Sequence, residues 1–145
     1  YLESFSRAAY HMGPVGSGAL TKLIINLVLA GNRLAMGEGL VLGTKAGMDV
    51  TKLLAVLQDG ACSSKTMIDK GPKMLKGDYT PEGRMSTKTP LLMLEQGSRH
   101  GAPMLVASMW LQLVQAGCEM GLNEQDPVAF HEAQRMLAGL PGRVE

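Results

Sequence analysis

The chain has 145 residues, 46% of them hydrophobic but only 4% aromatic, with 11 methionines and a formal net charge of +1. That length suits one domain with a real core, and so even a charge balance excludes nucleic acid or an anionic membrane drawn in by a positive field. A core of leucine, alanine, valine and methionine with few rings predicts helices rather than a sandwich or barrel.

Residues 1–12 do not read as a domain of their own. Leu2, Phe5 and Ala8–Ala9 are spaced like the end of an amphipathic helix, and Ala9-Tyr10-His11-Met12 like a short strand or linker. Gly13, Gly16 and Gly18 follow, with Ser17 as the expected N-cap of a first helix from about Gly18 to Ala46. That helix is apolar almost all round between Leu23 and Ala30, and the run, broken only by Asn26, is shorter than the roughly 20 residues that span a bilayer. Lys22, Asn26 and Arg33 share one of its faces. Gly31, Gly37, Gly39 and Gly43 each cost about 1 kcal/mol inside a helix, which points to close approach of another helix or chain.

Gly47 stops the first helix, and Asp49 caps a second over Val50 to Gln58, ending at Gly60. Ser63 or Ser64 caps a third that reaches toward Leu75, and residues 77–83 have loop chemistry. A fourth helix runs from about Met85 or Pro90 to His100. Pro103 suits the first turn of a fifth, which ends near Gly117 or Gly121. Asp126 caps a sixth, with Pro127 at its first position, running to about Leu137; the closing Gly-Leu-Pro-Gly-Arg reads as frayed. There is no strand pattern and no internal repeat, so the expected fold is all-α, a helical bundle built on one long N-terminal helix.

Lys22 and Asn26 carry the clearest chemistry. By spacing alone Lys22 is either a solvated, snorkelling lysine or a desolvated amine able to act as general acid or base. Asn26, one turn on, is a poor helix former that needs partners if buried, and it sits where it can orient that amine. Gly13, Gly16 and Gly18 are spaced G-x-x-G-x-G, which is not the dinucleotide fingerprint G-x-G-x-x-G; alone they mark a tight turn into a helix or a weak phosphate site. Lys88, opening the fourth helix, is by itself a surface lysine. Cys62 and Cys118 match no zinc spacing and read as two buried thiols in a reducing compartment, hence the cytoplasm. His11, His100 and His131 share no motif, so neither a metal site nor a catalytic triad is expected.

Over Gly13 to Asn26 the sequence resembles the β-hydroxyacid dehydrogenases, the family of 3-hydroxyisobutyrate and 6-phosphogluconate dehydrogenases, at the start of their C-terminal helical domain. The pattern there is G-x-x-G-x-G-x-x-x-K-x-x-N-N, with Ile25 at the first asparagine position and Asn26 at the second. Glu38 to Asp49 resembles the family's E-x-x-x-L-x-x-x-x-G-L-D, Lys88 to Pro103 matches its lysine-to-G-x-P interval, and Gly121 to Phe130 resembles its G-x-x-x-x-D-x-S-A-V. Thr89 stands where the family has aspartate, and the family's phenylalanine shortly before the lysine has no counterpart between Tyr79 and Lys88.

The resemblance implies the C-terminal domain of a two-domain Rossmann-plus-helical dehydrogenase. Residues 1–12 would be the remnant of the Rossmann domain or linker, 13–140 the helical substrate-binding and dimerisation domain, and 141–145 a tail. NAD or NADP would be bound mainly by the N-terminal domain, and a small 3-hydroxy acid would be oxidised to a semialdehyde, or the reverse. Lys22 and Asn26 would be catalytic, the Gly16-Ser17-Gly18 backbone would border the substrate, and Lys88 would reach the cofactor. A homodimer or homotetramer is expected. The rivals are a glyoxylate or succinic semialdehyde reductase, an imine-reducing relative, which Lys22 disfavours, and a helical dimerisation module without catalysis.

Overall fold

The computed structural model describes residues 8–143. Leu2 and Phe5, and with them most of the expected leading helix, lie outside the described residues; Ala8 to Met12 are exposed and form neither helix nor strand. Six helices follow: α1 (Ser17–Lys45), α2 (Val50–Asp59), α3 (Lys65–Lys76), α4 (Lys88–Arg99), α5 (Leu105–Glu119) and α6 (His131–Leu137), with a 3-10 turn over Pro127–Phe130. No strand occurs among the described residues.

The ends of these helices follow local chemistry. Asp49 accepts hydrogen bonds from the Thr51 and Lys52 amides at 3.1 Å, and Ser64 from the Met67 amide at 3.2 Å, so both expected caps form. Ser17 does not cap α1. Gly16 takes that place at φ 99°, a left-handed conformation that glycine adopts without strain, and Ser17 becomes the first helical residue. Pro103 lies before α5 rather than in its first turn, because the chain reverses at Gly101 (φ 63°) and Met104 then folds back over Gly97. The sixth helix starts late: Asp126 caps Pro127–Phe130 through the Val128 amide at 3.1 Å, but those residues wind as a 3-10 turn before α6 begins.

α1 is the spine, packed against α2, α3, α4, α5 and α6. Two of its four interior glycines make close approach possible within the chain: a Cβ on Gly37 would strike Gln134 of α6, and one on Gly43 would strike Leu53 of α2. Gly31 meets only Val106, at an ordinary distance, and Gly39 faces open space. Taken whole, α1 is long and apolar enough to cross a membrane by length and composition, although its uninterrupted apolar run is short. The core it organises is built from Leu34, Met36, Leu40, Leu54, Met74 and Phe130 with their neighbours, the methionine-rich, ring-poor core that composition predicts. Both cysteines are free, Cys62 exposed and Cys118 half-buried, so the expectation of two buried thiols fails at Cys62, which sits in the turn between α2 and α3.

The C-terminal segment is tied down as far as Arg143, contrary to the expected fraying. The Arg143 guanidinium donates to Glu132 Oε1 at 2.8 Å, to the Tyr79 hydroxyl at 3.0 Å and to the Leu75 carbonyl at 2.8 Å. Glu132 is fully buried, and this fork, with the Tyr79 hydroxyl also donating to it, compensates its charge.

His131, 2% exposed beneath α1, shares a hydrogen bond of 3.0 Å with Gln134 Oε1, and the Gln134 amide donates to the Leu34 carbonyl. Burial pushes its imidazole down to about 4, outweighing the opposing effect of Gln134. An unfolded histidine titrates near 6.5, so between about pH 6.5 and about pH 4 the unfolded chain binds the extra proton and stability falls as the pH drops. The expected loss between about pH 7 and about pH 5 is roughly 2 kcal/mol, read from denaturant melts. His131→Asn should flatten that decline; the same decline in the variant would assign it to other groups.

Candidate functional site

The start of α1 is open. Gly16 and Gly18 face empty space where a Cβ would stand, so an outside group can reach the backbone there, at the end of a helix where unpaired amides favour an anion. Lys22 follows on the same helix and is exposed, while Asn26, one turn later, is half-buried. No hydrogen bond joins the two side chains among the described residues.

Asn26 lines a cavity of about 150 Å³ whose other polar walls are Arg33, Arg84, Ser86 and Thr89, with Trp110 of α5 beside them. α1 and α5 supply two walls, and the third is the segment entering α4. Lys88 is the first residue of α4, its amide donating to Ser86 Oγ at 3.2 Å; its side chain is exposed and, like that of Lys22, is not part of the cavity wall. The structure therefore brings Asn26 together with the segment carrying Lys88, and leaves both lysines at the surface. A larger cavity of about 220 Å³ lies between α1 and α4, walled by Leu20, Leu23, Ile24, Leu27, Met93 and Met104. Gln96 and His100 are the polar residues of its lining, and it holds none of the candidate residues.

Beneath the polar cavity lies an ion cluster without local sequence signal. Asp126, fully buried, accepts from Lys70 Nζ at 2.9 Å; Lys70 also meets Glu82 at 2.6 Å, and Lys73 meets Glu82 at 2.7 Å. The Lys70 and Lys73 ammoniums hold the Glu82 carboxyl down to about 2. Asp126 Oδ2 also accepts from the Glu82 amide, and the Met85 amide donates to the Gln125 carbonyl, so the cluster pins the segment that carries Arg84, Met85 and Ser86. Arg33, Arg84, Trp110 and this cluster are the parts that sequence reasoning did not assign. Arg33 left a trace as the third member of the polar stripe on α1, and Asp126 as the expected cap of the sixth helix.

For a dinucleotide cofactor the described residues fit in part. They contain no strand–turn–helix cradle for its phosphates, while the backbone at Gly16 and Gly18 is open and the Lys22 and Lys88 side chains are exposed.

A family model described as "NAD-binding of NADP-dependent 3-hydroxyisobutyrate dehydrogenase" matches residues 16–133. The chain is 33% identical over 133 residues to glyoxylate/succinic semialdehyde reductase 1 of Arabidopsis thaliana, covering 90% of this chain and 46% of that protein. It is 28% identical over 142 residues to 2-(hydroxymethyl)glutarate dehydrogenase of Eubacterium barkeri, covering 96% of this chain and 47% of that protein. The crystal structure of a 3-hydroxyisobutyrate dehydrogenase from Salmonella typhimurium superposes with a TM-score of 0.84 at 21% identity, over 91% of this chain and 47% of that one, which shows a shared fold. The chain thus spans about half the length of these relatives. It belongs to the family described as "NAD-binding of NADP-dependent 3-hydroxyisobutyrate dehydrogenase".

Proposed function

We propose that the full-length protein carrying this chain is an NAD(P)-dependent dehydrogenase that interconverts a small 3-hydroxy acid and its semialdehyde. The observation that carries the reading is the layout of α1: an open glycine-flanked start, the amine of Lys22, then the half-buried carboxamide of Asn26 at the mouth of a polar cavity. NAD(P), when bound, supplies the hydride acceptor or donor. Lys22 takes the hydroxyl proton as oxidation proceeds, or returns it to the oxygen in reduction. Asn26 orients that oxygen, the backbone of Gly16, Ser17 and Gly18 borders the substrate carboxylate, and Lys88 reaches the cofactor. The names of the relatives, reductases and dehydrogenases of small oxo and hydroxy acids, support the same class and leave the glyoxylate or succinic semialdehyde reductase direction as the second reading. The two free cysteines support a reducing compartment such as the cytoplasm. The test is to follow NAD(P)H formation by full-length protein supplied with 3-hydroxy acids. No hydride transfer with any hydroxy acid or semialdehyde would leave a helical dimerisation module as the better account.

A homo-oligomer is part of the proposal. Ile24 and Val28 of α1 are 53% and 58% exposed, and Leu105 and Met109 of α5 are 76% and 51% exposed, on two helices that pack against each other. So much apolar surface on neighbouring helices suits a second copy of the chain. Light scattering after size exclusion should give a mass at least twice 15.4 kDa. A well-behaved monomer at high concentration would count against it.

A further inference from the structure

Arg33 stands two turns beyond Asn26 on α1, and both line the same cavity of about 150 Å³. Its Nε–H donates to the hydroxyl of Thr66 at 2.8 Å, and Thr66 is itself buried, so the guanidinium is held in one orientation. Among the described residues no carboxylate lies within 4.0 Å of it. The nearby acids are already engaged: Asp126 by Lys70, and Glu82 by Lys70 and Lys73. Arg84, the other cation of the cavity wall, pairs with Glu124 at 3.2 Å on the exposed rim. None of the residues lining the cavity is acidic.

A guanidinium drawn partly out of water is costly unless it is paired. Burial accordingly lowers the Arg33 pKa, against the more distant charges of Asp126 and Glu82. What remains is a fixed planar fork of donors facing a cavity without negative charge, the geometry that binds a carboxylate through two parallel hydrogen bonds. Ser86 and Thr89 add hydroxyls to the same wall. Asn26 and Arg33 are about 10 Å apart along the helix axis, and side chains on a helix lean toward its N-terminus, so the fork sits nearer to Asn26 than its backbone does.

We infer that this cavity is a subsite for a second, distal carboxylate of the substrate, held by Arg33, so that the protein prefers short-chain dicarboxylic hydroxy acids over monocarboxylic ones. The inference rests on the reading of Lys22 and Asn26 as the reacting end. Arg33 acts here in specificity, and its role separates from a purely structural one by what it discriminates.

Trp110 lines the cavity, so in the full-length protein the part of the fluorescence that Trp110→Phe removes reports occupancy without any need for turnover. Glutarate should shift that fluorescence saturably, whereas butyrate at matched ionic strength should bind far more weakly. Arg33→Met should weaken glutarate about 10- to 100-fold, the range for losing a charge-assisted hydrogen bond, and Arg33→Lys should recover part of it. In the full-length protein the ratio of kcat/KM for a dicarboxylic over a monocarboxylic 3-hydroxy acid should fall by a similar factor in Arg33→Met. Equal responses to glutarate and butyrate, or unchanged glutarate affinity in folded Arg33 variants, would overturn the subsite. Should Arg33→Met fail to fold, the Arg33→Lys ratio decides the matter alone. Absence of hydride transfer with every substrate, while glutarate still binds through Arg33, would sink the catalytic reading and leave the subsite standing.

Discussion

Replacing Lys22 by alanine in the full-length protein is expected to lower kcat by about 10³-fold, within the range that a positioned general acid–base contributes. The expectation follows from what the hydroxyl requires. As hydride leaves the carbinol carbon, the oxygen must lose its proton, and a group within hydrogen-bond reach must receive it. In the proposed reading that group is the amine of Lys22, one turn before Asn26 in α1 and at a helix start left open by Gly16 and Gly18. Lys22 is exposed in this chain, so its removal should change stability by no more than about 0.5 kcal/mol, and loss of activity cannot be laid to unfolding. Lys22→Arg should not rescue turnover, because a guanidinium does not give up its proton in proteins. Near wild-type kcat in Lys22→Ala, measured at saturating substrate, would remove the acid–base assignment. Asn26→Ala should act differently, raising KM as well as lowering kcat, since the proposed role of Asn26 is to hold the oxygen rather than its proton.

Much of this architecture was legible because the signals are local. Asp49 and Ser64 announce helix starts through hydrogen bonds to amides two or three residues on, and the structure makes those bonds. That Lys22, Asn26 and Arg33 share one face of α1 follows from helical period alone. Where the reading slipped, the competing cause was also physical. Ser17 is a good capping residue, but Gly16 can take φ 99° and so ends the turn one residue earlier. Pro127 suits a first helical position, yet the chain around it winds as a 3-10 turn with the Ala129 amide bonded to the Asp126 carbonyl at 2.8 Å. What could not be read at all was long-range polar pairing. Lys70 and Asp126 lie 56 positions apart and Tyr79 and Glu132 lie 53 apart, and no local pattern distinguishes either pair from solvated surface residues. Trp110 reaches the cavity from α5 in the same silent way.

The ion cluster under the cavity should prove the most sensitive point of the fold outside the apolar core. Asp126 is fully buried, and its two oxygens serve four partners: the Val128 and Glu82 amides, Lys70 at 2.9 Å and Lys73 at 4.0 Å. Asp126→Ala strips the cap from the 3-10 turn and leaves the Lys70 ammonium, whose side chain is only 12% exposed, with Glu82 as its remaining carboxylate partner. Removing one partner of a buried pair typically costs about 3–5 kcal/mol, and the surviving contact of Lys70 with the exposed Glu82 places the expected loss at the lower end of that range. For a chain of this size that corresponds to a fall in Tm of roughly 10 °C or more, visible in a thermal melt. Asp126→Asn, which can keep the cap while losing the charge, should fall between the two. Adding Lys70→Met to Asp126→Ala should cost less than the two single losses summed, since the Lys70–Asp126 contact is then counted once; a fully additive double variant would show that the two groups do not interact. The damage should also reach the site. Asp126 holds the Glu82 amide, and Gln125 beside it holds Met85, so loosening them frees the segment that presents Arg84, Ser86 and Thr89 to the cavity. At a temperature where Asp126→Asn is still folded, Trp110 should therefore report weaker glutarate binding, although Asp126 itself is no part of the cavity wall. Unchanged binding in a folded Asp126→Asn would mean that the segment keeps its place without the cluster.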